Sequence, residues 1–493
     1  MNLKLLAKVL GLLLTLESIA LLACAGFSVW DSGVEASASR ALLITAGVAL
    51  GLGVFGMILG RGKYERIPRR EGVMIVGSGW LLSAIVGSLP FILSEPGLRP
   101  GAAFFESMSG LTTTGSTAIA DLEAWPRGIL LWRAVSQWLG GLGILVLFVA
   151  LLATLGAGTK SLFRNESSFE ASEVSHTKIR DTAKMLWKIY LILTVTCALG
   201  LRVLGVSWFD SVAHAMTCVA TGGFSTHNES IGYFSDWETG LAIELWIVLF
   251  MLLGSISFLI YVVILRRNWE RLKREEEVKW YLGIIVGAIV ACVVIKFALG
   301  DMAIGESLRG AVFTVVSIVS STGYGTVDFE AWPVGSHFVI LGLMLMGGCA
   351  GSTAGGAKVS RIMLLFRAVH QEIVQAFRPN QVFRLQVNGN PIDDAGRAHT
   401  VLFVALFWLI AILSMMVVAV LETAHGVDFE TTVAAVLTTL SNIGPGFGEV
   451  GPTDNFGHFR QGTLIYLAFL MVMGRLELFA FLVLLIPAAW RKY

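Results

Sequence analysis

Long apolar runs broken by short polar stretches make up most of the chain, and the runs fall into two length classes. Runs of about twenty residues, enough to cross a bilayer as a helix, lie at 5–30, 41–60, 72–94, 128–155, 185–206, 240–265, 281–299, 336–366, 398–421 and 461–488. Shorter apolar segments of about a dozen residues, too short to cross and expected to be re-entrant half-helices, lie at 101–113, 209–220, 306–320 and 429–441. The pattern predicts an all-α polytopic membrane protein with ten spans. Its unit is helix, half-helix, loop, helix, repeated four times after an extra helix pair. The expected divisions are that pair at 1–70 and pore repeats at 71–160, 161–280, 281–396 and 397–493.

Each half-helix runs into a polar, glycine-containing loop. These are Thr112-Thr113-Thr114-Gly115, Ala220-Thr221-Gly222-Gly223, Ser320-Ser321-Thr322-Gly323-Tyr324-Gly325 and Asn442-Ile443-Gly444-Pro445-Gly446. Aligning Gly115, Gly222, Gly323 and Gly444 gives spacings of 107, 101 and 121 residues. A second recurrence follows loops one and three: Asp121-Leu122-Glu123-Ala124-Trp125-Pro126 and Asp328-Phe329-Glu330-Ala331-Trp332-Pro333. Five identities in six at matching places indicate internal duplication.

Non-helical backbone at membrane depth must be buried in protein or line a water-filled path. Four such loops satisfy that rule by facing a common axis, which predicts pseudo-four-fold symmetry. Glycine lets backbones approach closely, so carbonyls can replace an ion's hydration shell. Half-helices that end at the loops point the negative ends of their dipoles at the axis. Acidic residues follow the loops (Asp121, Glu123, Glu229, Asp236, Asp328, Glu330, Glu449, Asp454) and would raise the local cation concentration. A cation pore is the chemistry these residues suit.

Composition agrees. Of 493 residues, 55% are hydrophobic and 14% charged, against nearer a quarter charged in soluble domains. Mean hydropathy is +0.74, and a net charge of +1 gives no reason to expect nucleic acid. Five cysteines stand singly (Cys24, Cys197, Cys218, Cys292, Cys349), suiting neither a disulfide framework nor a zinc site. Leu21-Leu22-Ala23-Cys24 resembles a lipoprotein cleavage box, but Glu17 interrupts the run and Leu22 is bulky for its position, so an ordinary first membrane helix is expected. Basic residues gather in alternate loops: Arg61, Lys63, Arg66, Arg69 and Arg70; Lys160, Arg164, Lys178, Arg180 and Lys184; Arg266 to Lys279; and Arg361, Arg367 and Arg378, with Arg491-Lys492 at the end. This places both termini in the cytoplasm and the four loops outside.

The four loops, the extra N-terminal pair, the interrupted eighth span and Met473-Gly474-Arg475-Leu476-Glu477-Leu478-Phe479 together resemble the Trk/Ktr/HKT superfamily. The chain is most similar to the bacterial Trk membrane subunit (TrkH/TrkG type), over essentially its whole length. The resemblance implies potassium as the transported ion and no organic cofactor on this chain. It implies a selectivity filter of Thr113, Thr114, Gly115, Ala220, Thr221, Gly222, Ser321, Thr322, Gly323, Asn442, Ile443 and Gly444. It also implies a bacterial plasma (inner) membrane location, a homodimer and a cytoplasmic nucleotide-binding regulator (TrkA-like). Conduction could be passive, gated or coupled as symport. A sodium or mixed-cation transporter on the same fold is the alternative. Two departures stand out: filter four lacks a Thr, and filter two has Ala220 where the others have Thr113, Ser321 and Asn442.

Gly347-Gly348-Cys349-Ala350-Gly351-Ser352-Thr353-Ala354-Gly355-Gly356-Ala357-Lys358 interrupts the eighth span. Such a run does not hold a helix, since each Gly costs about 1 kcal/mol against Ala. It is either a flexible kink or, by resemblance, an intramembrane gate beneath the filter comprising Gly347, Gly348, Gly351, Ser352, Thr353, Gly355, Gly356, Lys358 and Arg475. An arginine inside a span is expensive and faces a cavity or partner, so Arg475 is a structural pair member or a positive barrier in the ion path. Other motifs are decoys. Gly51-Leu52-Gly53-Val54-Phe55-Gly56 fits a dinucleotide fingerprint but lies in an apolar helix with no preceding strand. Gly351 to Lys358 misses a phosphate loop by one residue. Glu17, Glu244, Lys296 and Glu422 are expected to snorkel or pair, and His214 to be a packed polar contact. No nucleophile–base arrangement for an intramembrane enzyme is present, no span carries Arg at every third position as a voltage sensor would, and the repetition is four-fold rather than two-fold.

Overall fold

The computed structural model describes residues 2–62, 69–154, 176–299, 304–378, 385–388, 390–476, 478, 481–483 and 486; side chains of 69–70, 144–154, 176–180 and 390 are not among them. Helices α1 (Leu3–Ser32) and α2 (Ser37–Leu59) form an antiparallel hairpin turned at Gly33. Two glycines of the dinucleotide-like motif, Gly53 and Gly56, serve this pair. A Cβ at Gly11 would lie 2.5 Å from the Gly53 carbonyl, and one at Gly56 2.8 Å from that of Ala7. Close backbone approach is how small residues join helices in lipid.

The first repeat holds α3 (Arg69–Gly87), α4 (Leu89–Leu93), the half-helix α5 (Pro100–Leu111) and α6 (Arg127–Thr154). The second holds α7 (His176–Val203), the half-helix α8 (Trp208–Val219), α9 (Gly240–Ser255) and α10 (Phe258–Leu265), with α11 (Trp269–Arg274) following. The third holds α12 (Glu277–Leu299), the half-helix α13 (Ile304–Val319), α14 (Val334–Met346) and α15 (Val359–Phe377). The fourth holds α16 (Asp394–Glu422), the half-helix α17 (Phe429–Ser441) and α18 (Gln461–Arg475). Six helices in the described residues are long and apolar enough to cross a membrane, or seven if the bent α9–α10 pair is one span.

The half-helices start where their sequences say. Pro100 opens α5 at a position that needs no N–H donor. The Ser207 hydroxyl accepts from the Asp210 N–H at 3.1 Å to start α8, and Asp428 accepts from the Thr431 N–H at 2.8 Å to start α17. Replacing such a cap by Ala costs about 1 kcal/mol. Each half-helix packs against an outer helix of its own repeat and one from the preceding repeat: α5 on α6 and α18, α8 on α7 and α6, α13 on α12 and α9, α17 on α16 and α14. The repeats thus close into a ring, and most of the buried apolar side chains form one cluster around it.

Several expectations change. The sixth span is not continuous: its helix stops at Ser255, resumes at Phe258, and turns through 88°. Ile256 is extended there, and the backbone groups freed by the break are taken up by the 347–358 segment. The eighth span is broken more widely, from Met346 to Val359. A two-residue hairpin, β1 (Gln386–Val387) paired with β2 (Asn390–Pro391), lies in the stretch before α16 and had no signal in the hydrophobic pattern. Lys63, Arg66, Lys160, Arg164, Glu477, Phe479, Arg491 and Lys492 lie outside the described residues, as do the side chains of Arg69, Arg70, Lys178 and Arg180. Arg361, expected on a basic loop, is buried in α15 with its guanidinium 4.0 Å from the Phe403 ring.

Candidate functional site

All four half-helices end in the same backbone device. The N–H of Thr114 donates to the Ser109 carbonyl (2.9 Å) and that of Thr113 to Gly110 (3.0 Å). Gly222 donates to Thr217 (2.8 Å) and Thr221 to Cys218 (2.9 Å); Thr322 to Ser317 and Ser321 to Ile318 (both 2.9 Å); Ile443 to Thr438 (3.0 Å) and Asn442 to Thr439 (3.4 Å). This is a Schellman ending, which requires one residue in the left-handed region. That residue is Thr113 (φ 52°), Thr221 (50°), Ser321 (53°) or Asn442 (54°). None is glycine, so each is held against its own preference, at a cost of order 1–3 kcal/mol. Strain at four matched places marks a site.

The device resets the register of the second loop. Two residues after each strained position stands a glycine with positive φ: Gly115 (87°), Gly223 (77°), Gly323 (80°) and Gly444 (105°). Gly223, not Gly222, is the counterpart of the other three, and Thr221, not Ala220, matches Thr113, Ser321 and Asn442. The apparent departure at Ala220 disappears, because Ala220 corresponds to Thr112, Ser320 and Ser441. The Gly222 carbonyl is engaged by Gln137, whose Nε2 donates to it at 2.6 Å while its Oε1 accepts from the Phe224 N–H at 3.1 Å. Gly223 was overlooked because two adjacent glycines gave two possible registers. The aromatic that follows, Phe224 like Tyr324 after Gly323, was the signal that separated them.

The loops close on one another in order. A Cβ at Gly115 would overlap the Gly222 carbonyl, one at Gly223 the Thr322 carbonyl, and one at Gly323 the Ile443 carbonyl. One at Gly444 would lie 3.1 Å from the Thr114 carbonyl, completing the circle. Cross-ring bonds tie it: Ser116 Oγ donates to the Gly444 carbonyl (3.1 Å), and Asn442 Nδ2 donates to Thr114 Oγ1 (2.9 Å). The Tyr324 hydroxyl bonds Thr217 Oγ1 at 2.5 Å. Behind the first loop, the buried pair Arg133–Glu106 (2.7 Å) braces two quarters at once. Glu106 accepts from the Ala118 N–H (2.9 Å) and Arg133 Nη1 donates to the Ser225 carbonyl (2.9 Å). Such buried pairs stand only when their remaining polar atoms are satisfied.

On the half-helix side of the ring lies the 347–358 segment. Thr353 Oγ1 donates to the Val219 carbonyl (3.1 Å) and to Gly254 (3.0 Å), and Thr221 Oγ1 bonds Thr353 Oγ1 (3.2 Å). The Gly355 N–H donates to Ser321 Oγ (2.6 Å), and a Cβ at Gly355 would lie 2.5 Å from the Ser441 carbonyl. Arg475 Nη1 donates to the Thr353 carbonyl at 2.7 Å. The segment therefore touches the ends of half-helices two, three and four, and the structure joins it to Arg475. Gly347, Gly351 and Gly356 hold φ of 71–78°, as does Lys358 (74°), whose ammonium bonds the Ala354 carbonyl. Gly348 and Ser352 are in the same fold: Gly348 accepts from the Val359 N–H (3.1 Å) and Ser352 Oγ donates to Cys349 (2.6 Å). Arg475 is buried and, among the described residues, makes no ion pair; its Nε and Nη2 find no hydrogen-bond partner there. That removes the reading of Arg475 as a pair member among these residues.

On the opposite side of the ring the duplicated hexapeptides fold alike. Asp121 Oδ1 accepts from the Glu123 N–H (3.1 Å) and Asp328 Oδ1 from the Glu330 N–H (2.9 Å); Trp125 and Trp332 are both buried. Burial, with Asp328 and then Asp454 and Glu430 nearby, pushes the Glu330 carboxyl up to about 7. This mouth thus gains negative charge as pH rises through neutrality. The Asn228 amide holds Asp121 below the usual carboxylate range. His214 is a packed contact as expected, with Nδ1 on the Asp210 carbonyl (2.8 Å) and Nε2 on Ser225 Oγ (2.9 Å). Glu244 pairs with Arg309 (2.7 Å), and Glu422 accepts from the Arg460 N–H and the Thr463 hydroxyl. Lys296 does not snorkel but sits 3.8 Å from the Trp332 ring. Glu17 is buried with neither carboxylate oxygen hydrogen-bonded among the described residues, so it neither snorkels nor pairs there.

Comparison with known proteins agrees with this architecture. The family model described as "TrkH: Cation transport protein" matches residues 61–492. The chain is 36% identical over 501 residues to the Trk system potassium uptake protein TrkH of Halomonas elongata, covering 100% of both chains. It is 37% identical over 459 residues to the protein of that name from Escherichia coli K12, covering 92% of this chain and 93% of the relative. The crystal structure of the potassium transporter TrkH from Vibrio parahaemolyticus superposes with a TM-score of 0.88 at 32% identity, covering 100% of both chains.

Proposed function

Because the chain belongs to the TrkH family of cation transport proteins, a family of multi-pass membrane transporters rather than enzymes, we propose that it carries potassium into the cell through the ring of four loops. The observation that supports this best is the ring itself: four strained residues, each followed at the same distance by a left-handed glycine, closing in order around one axis. Carbonyls presented this way can replace the water around a monovalent cation. The filter residues in this reading are Thr113, Thr114 and Gly115; Thr221, Gly222 and Gly223; Ser321, Thr322 and Gly323; Asn442, Ile443 and Gly444. The chain divides, in the same reading, into the N-terminal pair and four repeats.

The segment 347–358 and Arg475 form the gate. The loop lies under three half-helix ends, and a fixed guanidinium in a low-dielectric path opposes a cation by about 4 kcal/mol at 4 Å for an effective dielectric of 20. The alternate basic loops of the sequence support an orientation with the acidic mouth outside and both termini in the cytoplasm, and the reading takes the membrane to be the plasma membrane of a bacterium. The word "system" in the relatives' names supports a further component; with no long soluble segment between the spans, the nucleotide-binding regulator is a separate cytoplasmic chain, acting on a homodimer of this one. The test is ion flux into liposomes carrying the purified protein, with rubidium and sodium as comparators. Potassium and rubidium should enter well ahead of sodium, and Gly115→Ser or Gly323→Ser should erode that preference. Equal potassium and sodium flux in the parent, or an unaltered ratio in both variants, would sink the filter assignment.

A further inference from the structure

The gate segment is held by a carboxylate that belongs to neither the ring nor the loop. Glu277, the first residue of α12, is buried, and its Oε1 accepts from two backbone N–H groups: Ala350 at 2.8 Å, on the loop, and Ser360 at 3.1 Å, just beyond the loop in α15. The start of α15 explains the arrangement. Lys358 occupies its N-cap position and provides no side-chain acceptor for the helix's first N–H groups. A helix start leaves such donors orphaned, and Glu277 supplies the acceptor from another helix. One side chain therefore caps α15 and grips the incoming limb of the loop at Ala350.

The two residues before it face the surface. Glu276 Oε2 accepts from Arg367 Nη2 (2.7 Å), the Glu276 N–H donates to Asn388 Oδ1 (2.8 Å), and Asn388 Nδ2 donates to Glu275 Oε1 (3.0 Å). Arg367 also bonds the Gln386 carbonyl in the hairpin. An open cleft of about 510 Å³ lies beside them, lined in part by Glu276, Trp280, Phe366, Arg367 and Gln386. Three consecutive glutamates thus connect the surface hairpin, the middle of α15 and the loop.

We infer that Glu277 is the positioning residue that holds the 347–358 segment under the ring, and that Glu275 and Glu276 tie that grip to the hairpin and α15 on the far face. Its consequence for transport rests on the reading of the segment as a gate; the grip itself does not. Cys349, adjacent to Ala350 and fully buried, reports the grip directly. With Cys24, Cys197, Cys218 and Cys292 replaced by Ala, the full-length protein in liposomes is labelled with a membrane-permeant maleimide. With both bonds to Oε1 lost, Glu277→Ala should raise the Cys349 labelling rate about tenfold or more. Glu277→Gln keeps a carbonyl oxygen for both N–H groups and should stay nearer the parent, which a general loss of packing would not achieve. If Glu277→Ala fails to insert, Glu277→Asp withdraws the carboxylate by one methylene and serves instead. A parental labelling rate in a folded Ala or Asp variant overturns the inference. So does equal acceleration in the Ala and Gln variants. Potassium flux separates the two readings. Faster labelling with unchanged flux leaves the grip and removes the gate. Raised flux on deleting Ser352–Gly355, with labelling unchanged in Glu277→Ala, leaves the gate and removes the grip.

Discussion

Four residues with ordinary side chains, Thr113, Thr221, Ser321 and Asn442, adopt the left-handed backbone that helix endings normally give to glycine. Glycine is used instead two positions later, where a Cβ would enter the neighbouring loop's carbonyl. The placement has a physical sense. A side chain at the strained position can bond across quarters, as Asn442 does to Thr114 and Thr221 to Thr353, while the glycine keeps the ring narrow. The register predicts two unequal outcomes in loop two. Gly223→Ser meets both a positive φ and the Thr322 carbonyl, and strain of about 1–3 kcal/mol should lower the potassium-to-sodium flux ratio roughly tenfold. Ala220→Ser adds the hydroxyl that Thr112, Ser320 and Ser441 already carry at that position and should leave the ratio unchanged. The opposite ranking in liposome flux would restore Gly222 as the counterpart.

At the scale of elements, two broken spans explain each other. The bend at Ser255–Phe258 exposes backbone groups that hydrocarbon does not tolerate. The loop of the eighth span supplies their partners: Cys349 N–H to the Ser255 carbonyl (3.0 Å), Phe258 N–H to Gly351 (3.0 Å) and Thr353 N–H to Gly254 (3.3 Å). The loop is therefore a fitted segment, bonded to α9, α10, the ends of half-helices two and three and α18, packed closely on the end of half-helix four, and not a slack kink. Removing Ser352–Gly355 takes out the Thr353 carbonyl that Arg475 bonds and the contacts to Ser321 and Ser441. Partner-independent potassium flux should rise by about tenfold or more, and Arg475→Ala should raise it as well, since the removed charge accounts for a few kcal/mol of barrier. Flux at or below the parent's, from protein that melts normally, would leave the segment a structural brace.

For the whole molecule, the ring depends on every repeat contributing a helix to its neighbour, so no quarter stands alone. α18 closes on α5, joining the last repeat to the first. The Glu106–Arg133 and Glu244–Arg309 pairs each join a half-helix to an outer helix on the mouth side. In the proposed orientation that side faces outside the cell. Glu238, between half-helix two and α9, and Arg274, at the end of α11, are both exposed and lie on opposite faces in this reading. In the cysteine-free protein, Glu238→Cys should react with an impermeant maleimide from outside intact cells and Arg274→Cys only after permeabilisation. Reaction of both from one face would contradict the span count.

How much of this was legible in the chain depends on the range of the interaction involved. The length of each apolar run is a property of local composition, and bilayer thickness converts it directly into span or half-helix; the half-helices at 100–111, 208–219, 304–319 and 429–441 were visible for that reason. The duplicated Asp-x-Glu-Ala-Trp-Pro hexapeptides were likewise legible, because identity over six residues needs no partner. The glycine run at 347–358 announced a break, since its backbone entropy forbids a helix. What the chain alone left open was decided by contacts between segments far apart. Aligned on glycine alone, Gly222 and Gly223 offer two registers with only the following aromatic to separate them, and the Thr322 carbonyl and Gln137, arriving from other repeats, fix Gly223 as the close-packed one. The Gly254-Ser255 pair permits a kink but does not dictate one, and the 88° bend at Ser255-Ile256-Ser257 is held because the loop about a hundred residues on satisfies its backbone. In the sequence Glu277 is the last of three consecutive glutamates ahead of the 281–299 span, with no local sign of a partner. Only the folded chain brings Ala350 and Ser360 to one oxygen, because a buried carboxylate is stable where two unpaired N–H groups converge on it.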